Sequence, residues 1–171
     1  TLFPYTTLFR SIWIKCFKRF SIDAQIKWPN DIFVGNKKLG GILIEQQIQG
    51  SSIAWSILGC GVNINAAPEL SSACSMFELT NVRFQPKTVL KEYLDLFNGQ
   101  IQLLYGEFQV LKAAFEAELF GKDAIQEFTD AQQQTWRASI KGVDEQGKLL
   151  LEKEGEIHAF DLQQIKLVLA E

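Results

Sequence analysis

Three lysines, Lys27, Lys37 and Lys38, fall within twelve positions of a 171-residue chain whose formal net charge is −3. A chain without an overall basic field must hold any anionic ligand with local cations of this kind. Asn30 and Asp31 lie between the lysines, and Gly40-Gly41 follows them. Downstream, Gly59 and Gly61 alternate along one segment that continues into Asn63. Glycine inside a strand gives up packing and marks close approach by a ligand or a second backbone. Two glycines with an amide on the same face suit a floor for a flat ligand, and an ammonium beside it suits an anionic end.

Such residues need a sheet to hold them. Gly35-Asn36 is a hairpin signal between the runs 31–34 and 38–48. A two-residue turn there sets Phe33 opposite Lys38 and Asp31 opposite Gly40. Asp31 and Lys38 are then diagonal neighbours on one face, about 7–8 Å apart at the backbone, within reach of a lysine stem. A one-residue slip turns every side chain over. Residues 52–65 read as the next strand, with Ile53, Trp55, Ile57, Gly59, Gly61, Asn63 and Asn65 on one face. Residues 25–28 run extended into Pro29, which disfavours helix at Trp28.

Upstream, residues 12–20 read as a helix with Ile12, Cys16 and Phe20 on one face and Ser11 as its N-cap. Residues 66–85 read as a loop. Residues 86–105 read as a helix with Pro86 in its first turn and a stripe of Val89, Leu90, Tyr93, Leu94, Phe97, Ile101, Leu104 and Tyr105. A further helix over 107–120 turns Phe108, Leu111, Phe115 and Leu119 inward, with Gly121 as its cap. Beyond residue 132 short strands follow in series, WRASIKGV, KLLLEKE, EIHAF and IKLVL, and suggest a small barrel.

Several chemistries are excluded or weakened. Cys16, Cys60 and Cys74 are odd in number and form no C-x-x-C pair, which fits a reducing cytosol and no disulfide framework. His158 is the only histidine, so neither a zinc site nor a histidine triad has its components, and a structural or surface role is expected for it. No apolar run approaches the ~20 residues that span a bilayer. The acidic balance argues against nucleic acid. Taken singly, each suggestive feature has an ordinary explanation. Lys37-Lys38 suits a solvated turn, Gly40-Gly41 suits a bulge, and Gly59-x-Gly61 opens no helix as a dinucleotide fingerprint would. Their conjunction is what carries weight.

That conjunction resembles a known family. Lys27-Trp28-Pro29-Asn30-Asp31, then Lys38-Leu39-Gly40-Gly41-Ile42-Leu43, then Gly59-Cys60-Gly61-Val62-Asn63 look like the central motifs of biotin–protein ligases, also called biotin–[acetyl-CoA-carboxylase] ligases, in order and in spacing. The resemblance covers residues 12–171. It implies an α+β fold: a partial antiparallel or mixed sheet with helices on one side, of class II synthetase-like type, plus a small all-β SH3-like barrel. Residues 12–128 would be the C-terminal part of the catalytic domain and 132–171 the SH3-like domain. The implied reaction joins biotin to ATP, with Mg2+, as biotinyl-5′-adenylate. It then passes biotin to a lysine of a biotin carboxyl carrier protein domain. A cytoplasmic location and no nucleic-acid or membrane partner go with this, and a homodimer is admitted. By motif, Lys38 resembles the lysine that contacts the biotin carboxylate and the α-phosphate, and Lys27 one implicated in the chemistry. Asn30 and Asp31 resemble the polar pair near the nucleotide, with Asp31 an indirect partner of its metal. Gly41, Ile42, Gly59 and Gly61 resemble pocket-lining positions, and Asn63 a polar contact nearby.

The chain also departs from the family. The glycine- and arginine-rich loop, G-R-G-R-x-G in form, that the family carries ahead of Lys-Trp-Pro-Asn-Asp has no counterpart here. The chain therefore reads as roughly the C-terminal two-thirds of a ligase, with little activity of its own. Residues 1–11, TLFPYTTLFRS, match nothing in the family and read as a non-native leader, a translated adapter joined to a truncated gene. The competing readings are a lipoate or octanoate ligase relative and a catalytically silent fragment that binds a carrier domain.

Overall fold

The computed structural model describes residues 3–50, 52–102 and 108–169. The elements run α1 (Phe3–Arg19), β1 (Gln25–Lys27), β2 (Asp31–Val34), β3 (Lys37–Gln49), β4 (Ser52–Val62), α2 (Met76–Thr80), α3 (Pro86–Gln100), α4 (Phe108–Ala117), β5 (Ile125–Asp130), β6 (Thr135–Val143), β7 (Leu149–Lys153), β8 (Glu156–Phe160) and β9 (Ile165–Val168). The chain divides into two compact units: Ile12–Gly99, and Gln100–Glu171 together with Thr1–Ser11.

The unit from Ile12 to Gly99 is built on a four-stranded antiparallel meander in the order β1-β2-β3-β4. Alternation along β3 and β4 gives the sheet two unlike faces. Ile42 and Cys60 pair across the ladder and turn one way. On that side the Trp13 indole donates to Cys60 Sγ at 3.1 Å, and its ring stacks on Tyr93 of α3 with centroids 4.3 Å apart. Ile12, Ile14, Cys16, Phe17, Ile26 and Leu39 lose all exposure in this core. The helices therefore cover one face. The other face carries Leu43, Trp55 and Ile57, which are 59%, 46% and 57% exposed.

Several expectations are corrected. Ser11 does not cap a helix that starts at residue 12. It lies inside α1, which already begins at Phe3. The stripe on α3 is narrower than expected: Val89 and Tyr93 are buried, whereas Leu90 and Leu94 are about half exposed. Leu104, Tyr105 and the Phe108 side chain lie outside the described residues. The 66–85 loop contains α2, whose N-cap Ser75 and Glu78 form a capping box. The β4 strand ends at Val62 rather than continuing to residue 65, and α4 ends at Ala117, ahead of Gly121.

The second unit is a five-stranded antiparallel sheet in the order β8-β7-β6-β5-β9. Phe128, Ile140, Leu149 and Leu151 are buried on it, and Leu111, Phe115 and Leu119 are buried as the sequence pattern requires. Arg10 is buried over the Phe115 ring, its guanidinium 5.9 Å from the centroid. Among the described residues the strands expected to form a barrel pair as a ladder with β8 and β9 at its two ends. His158 sits on β8, half exposed, with Nε2 3.7 Å from a Glu156 carboxylate oxygen.

Candidate functional site

The motif residues converge because of one irregularity in the β2–β3 ladder. Phe33 pairs with Lys38, as a two-residue Gly35-Asn36 turn requires, but Ile32 pairs with Gly40 and Asp31 with Gly41. Leu39 is therefore an extra residue, a bulge. It is fully buried. The expected partner of Asp31 was Gly40; the bulge shifts it to Gly41, one residue further on. The consequence is local. Lys38 Nζ lies 2.5 Å from Asp31 Oδ1, and Lys27 Nζ lies 3.9 Å from Asp31 Oδ2. The Lys27 ammonium also sits 5.2 Å from the centroid of the Phe33 ring.

The same face carries the glycine ridge. A Cβ built on Gly41 would meet Asp31 Oδ1 at 3.4 Å and the Lys38 Cε and Nζ atoms at 3.6 Å. Gly41 pairs directly with Gly61, and Leu43 with Gly59, so all four lie on one side of the sheet. A Cβ on Gly61 would meet nothing within 4 Å, which leaves open space above it. Lys38, Asp31, Gly41, Gly59 and Gly61 thus share the face that the helices leave uncovered.

Ile42, Asn30 and Asn63, also expected at the site, make contacts with the backbone, and the neighbouring Lys37 lies apart. The Ile42 side chain is 3% exposed and turns to the opposite, helix-covered face with Cys60, while its backbone N–H donates to Asn30 O at 2.8 Å. Asn30 enters this arrangement through that carbonyl. Asn63 is tied into the backbone: its side-chain amide donates to Cys74 O at 3.0 Å and Lys38 O at 3.4 Å. Lys37 points away from Asp31 at the hairpin end, opposite Val34.

One element was not anticipated. Where β4 leaves the ladder at Val62, the segment Ser72–Cys74 takes its place beside Lys38. The Lys38 N–H donates to Ser72 O at 2.8 Å, and the Cys74 N–H donates to Lys38 O at 3.0 Å. The Ser75-x-x-Glu78 capping-box pattern, which fixes the end of this segment, was the available sequence signal.

Electrostatically the centre is one carboxylate held by two ammonium groups. Mg2+ does not fit Asp31 as a protein-held ion in this arrangement. Its carboxylate is already compensated, and no group of three or more His, Cys, Asp or Glu able to hold a metal occurs among the described residues. The ridge itself offers backbone, space and positive charge. That is a suitable bed for a flat acyl group ending in an anion.

The chain is similar to known proteins over the same segment. Residues 15–63 match the model of the biotin/lipoate A/B protein ligase family, a span that holds β1 to β4 and every motif residue above. The bifunctional ligase/repressor BirA of Bacillus subtilis is 30% identical over 139 residues, 77% of this chain and 42% of that protein. Over residues 15–63 the chain carries the segment described by the biotin/lipoate A/B protein ligase family model. It spans about half the length, or less, of the curated relatives that it matches over most of its own sequence. The apo structure of biotin protein ligase from Aquifex aeolicus superposes with a TM-score of 0.77 at 20% identity, covering 99% of this chain and 76% of that one. The same ligase in complex with biotin and ATP gives 0.74 at 21% identity, covering 98% and 71%. At such identity these two report the fold: helices with antiparallel sheets, shared with biotin protein ligases.

Proposed function

We propose that this chain carries the acyl- and nucleotide-binding sheet of an enzyme that activates biotin with ATP and transfers it to a carrier-domain lysine. The observation that carries this reading is the Lys38 ammonium beside Gly41, on the same open face as Gly61. In the first step a biotin carboxylate oxygen bonds to the α-phosphorus of ATP and pyrophosphate leaves. In the second, the carrier lysine amine attacks the acyl carbon, an amide forms and AMP leaves. The first step brings two anions together. A fixed ammonium offsets that repulsion and stabilises charge growing on the phosphoryl oxygens.

Lys38 takes that role. Asp31 holds the ammonium over the ridge before ligand arrives, and Lys27 adds a second positive charge on Asp31. Gly41, Gly59 and Gly61 provide the floor, and Leu43, Ile57 and Trp55 continue it as an apolar strip suited to a hydrocarbon chain. Ile42 and Asn30 stiffen the bed through their mutual backbone bond. Mg2+ would arrive with the nucleotide phosphates rather than on a protein site. The partner is a biotin carboxyl carrier protein domain. We read residues 12–128 as the catalytic portion and 132–171 as an SH3-like portion. On this reading the chain by itself releases little pyrophosphate from ATP and biotin, since its sequence holds no G-R-G-R-x-G segment.

The matched family model also names lipoate ligases, so acyl specificity is the point to test. The chain is offered preformed biotinyl-5′-adenylate and lipoyl-5′-adenylate in calorimetric titrations. Tighter binding of the biotinyl compound is expected. Equal binding, or preference for the lipoyl compound, would move the chain to the other branch.

A further inference from the structure

We propose that the Ser72–Cys74 strap, locked by Asn63, is the device that positions the Lys38 ammonium, and that Asn63 acts through Lys38 rather than by touching the ligand. The inference rests on the reading of Lys38 as the cation that receives the anion. It starts from a topological problem. Lys38 lies past the end of the β3–β4 ladder, whose last pair is Gly40 with Val62. Beside it the bulge at Leu39 breaks the regular β2 pairing. A lysine at the frayed end of a strand would have a loose base, and a four-carbon stem magnifies any movement of its Cα.

The strap removes that looseness. It runs parallel to β3, with Ala73 bridged to Lys38. Both main-chain groups that Lys38 turns toward the missing strand are satisfied, by Ser72 O and by the Cys74 N–H. Asn63 closes the arrangement from three directions. Its N–H donates to Leu39 O at 2.9 Å, and its carbonyl accepts from the Met76 N–H at 2.8 Å. Its side-chain amide spans the gap, donating to Cys74 O and to Lys38 O. A primary amide has two N–H donors, and these two carbonyls occupy both. The amide nitrogen is therefore committed to the backbone under Lys38. Beyond the strap, the Ser75–Glu78 capping box and the fully buried Met76 anchor the chain so that Ser72–Cys74 cannot drift.

A positioning role makes a specific prediction, because only the charged end of the ligand meets Lys38. Biotin and its neutral carboxamide are titrated calorimetrically into the wild-type chain, Lys38→Ala, Asn63→Asp and Asn63→Ala. Folding is checked by near-ultraviolet circular dichroism. The wild-type chain is expected to favour the anion, and Lys38→Ala to erase that preference. Asn63→Asp keeps the side-chain shape but places a carboxylate against two carbonyls. The deciding variant is Asn63→Ala, which removes both donors without adding a charge that repels the anion: it should lower the anion-to-amide preference about tenfold, in line with loss of a hydrogen bond of ordinary strength, while affinity for the neutral amide stays within about twofold, and Asn63→Asp should lower the preference at least as far. Should Asn63→Asp fail to fold, Asn63→Ala decides alone. An unchanged ratio in folded Asn63 variants, or an equal loss for both ligands, would overturn the positioning role. An equal anion preference in Lys38→Ala and wild type, or no binding of either ligand by the wild-type chain, would instead overturn the function on which it rests.

Discussion

Adding one methyl group at Gly61 or at Gly40 should have opposite consequences, although the two glycines lie on adjoining strands. At Gly61 a new Cβ meets nothing within 4 Å. Folding should therefore tolerate alanine, and the unfolded chain loses freedom, a gain of about 0.4–1 kcal/mol. For a unit of this size that raises the melting temperature by about 2–8 °C. The methyl, however, rises from the floor of the proposed ligand bed. Overfilling a fitted space costs about 1–3 kcal/mol, or about 5- to 150-fold in affinity for biotinyl-5′-adenylate. At Gly40 the new Cβ would sit 2.5 Å from Gly61 O and 3.3 Å from Val62 Cα. Both are backbone atoms, so β3 and β4 must part. Gly40→Ala should lose about 1–3 kcal/mol of stability and lower the melting temperature by about 4–24 °C. Thermal melts paired with calorimetric titration of biotinyl-5′-adenylate read both quantities. The reasoning is refuted if Gly61→Ala binds like the wild-type chain, or if it melts as early as Gly40→Ala.

Two further outcomes are expected. In a ligase that contains this segment, Lys38→Ala should lower the adenylation rate about 10²–10³-fold, as loss of one preorganised donor does elsewhere; pyrophosphate release measures it, and an unchanged rate removes Lys38 from the chemistry. Burial pushes the Cys16 thiol from 9 up to about 12, so the folded state keeps a proton that the unfolded chain loses above pH 9. Stability present below pH 9 should then fall as the pH rises toward 12, with Tyr93, also pushed up by burial, acting in the same direction. The urea midpoint at pH 8 and pH 10.5 checks the sign, and a midpoint that rises with pH contradicts it.

What could be read from the sequence depended on how local the cause was. The Gly35-Asn36 turn fixes Phe33 opposite Lys38 through two residues, and the ladder follows that expectation at the turn. Alternation placed Gly59 and Gly61 together because a strand's period is fixed by geometry. The bulge at Leu39 was not legible. A buried leucine can sit in register or out of it, and only its fit into the core selects the second. The strap was missed because 66–85 looks like loop composition, and its two main-chain bonds to Lys38 depend on tertiary closure. Leu90 and Leu94 keep the helical stripe in sequence, yet they are about half exposed, since periodicity gives the direction of a face and not what covers it. The unexpected start of α1 at Phe3 has a related origin. No strong breaker sits between Thr7 and Ile12, and Leu8, Phe9, Ile12 and Trp13 are all buried.

The central claim is that the open, glycine-floored face around Lys38 receives the acyl nucleotide. The most direct measurement is a ¹H–¹⁵N nuclear magnetic resonance titration of the chain with biotinyl-5′-adenylate. The account predicts saturable shifts at the amides of Lys38, Gly41, Gly59 and Gly61, absent in Lys38→Ala at the same ligand concentration. Saturable shifts that leave those four amides unmoved and gather on other residues would contradict it.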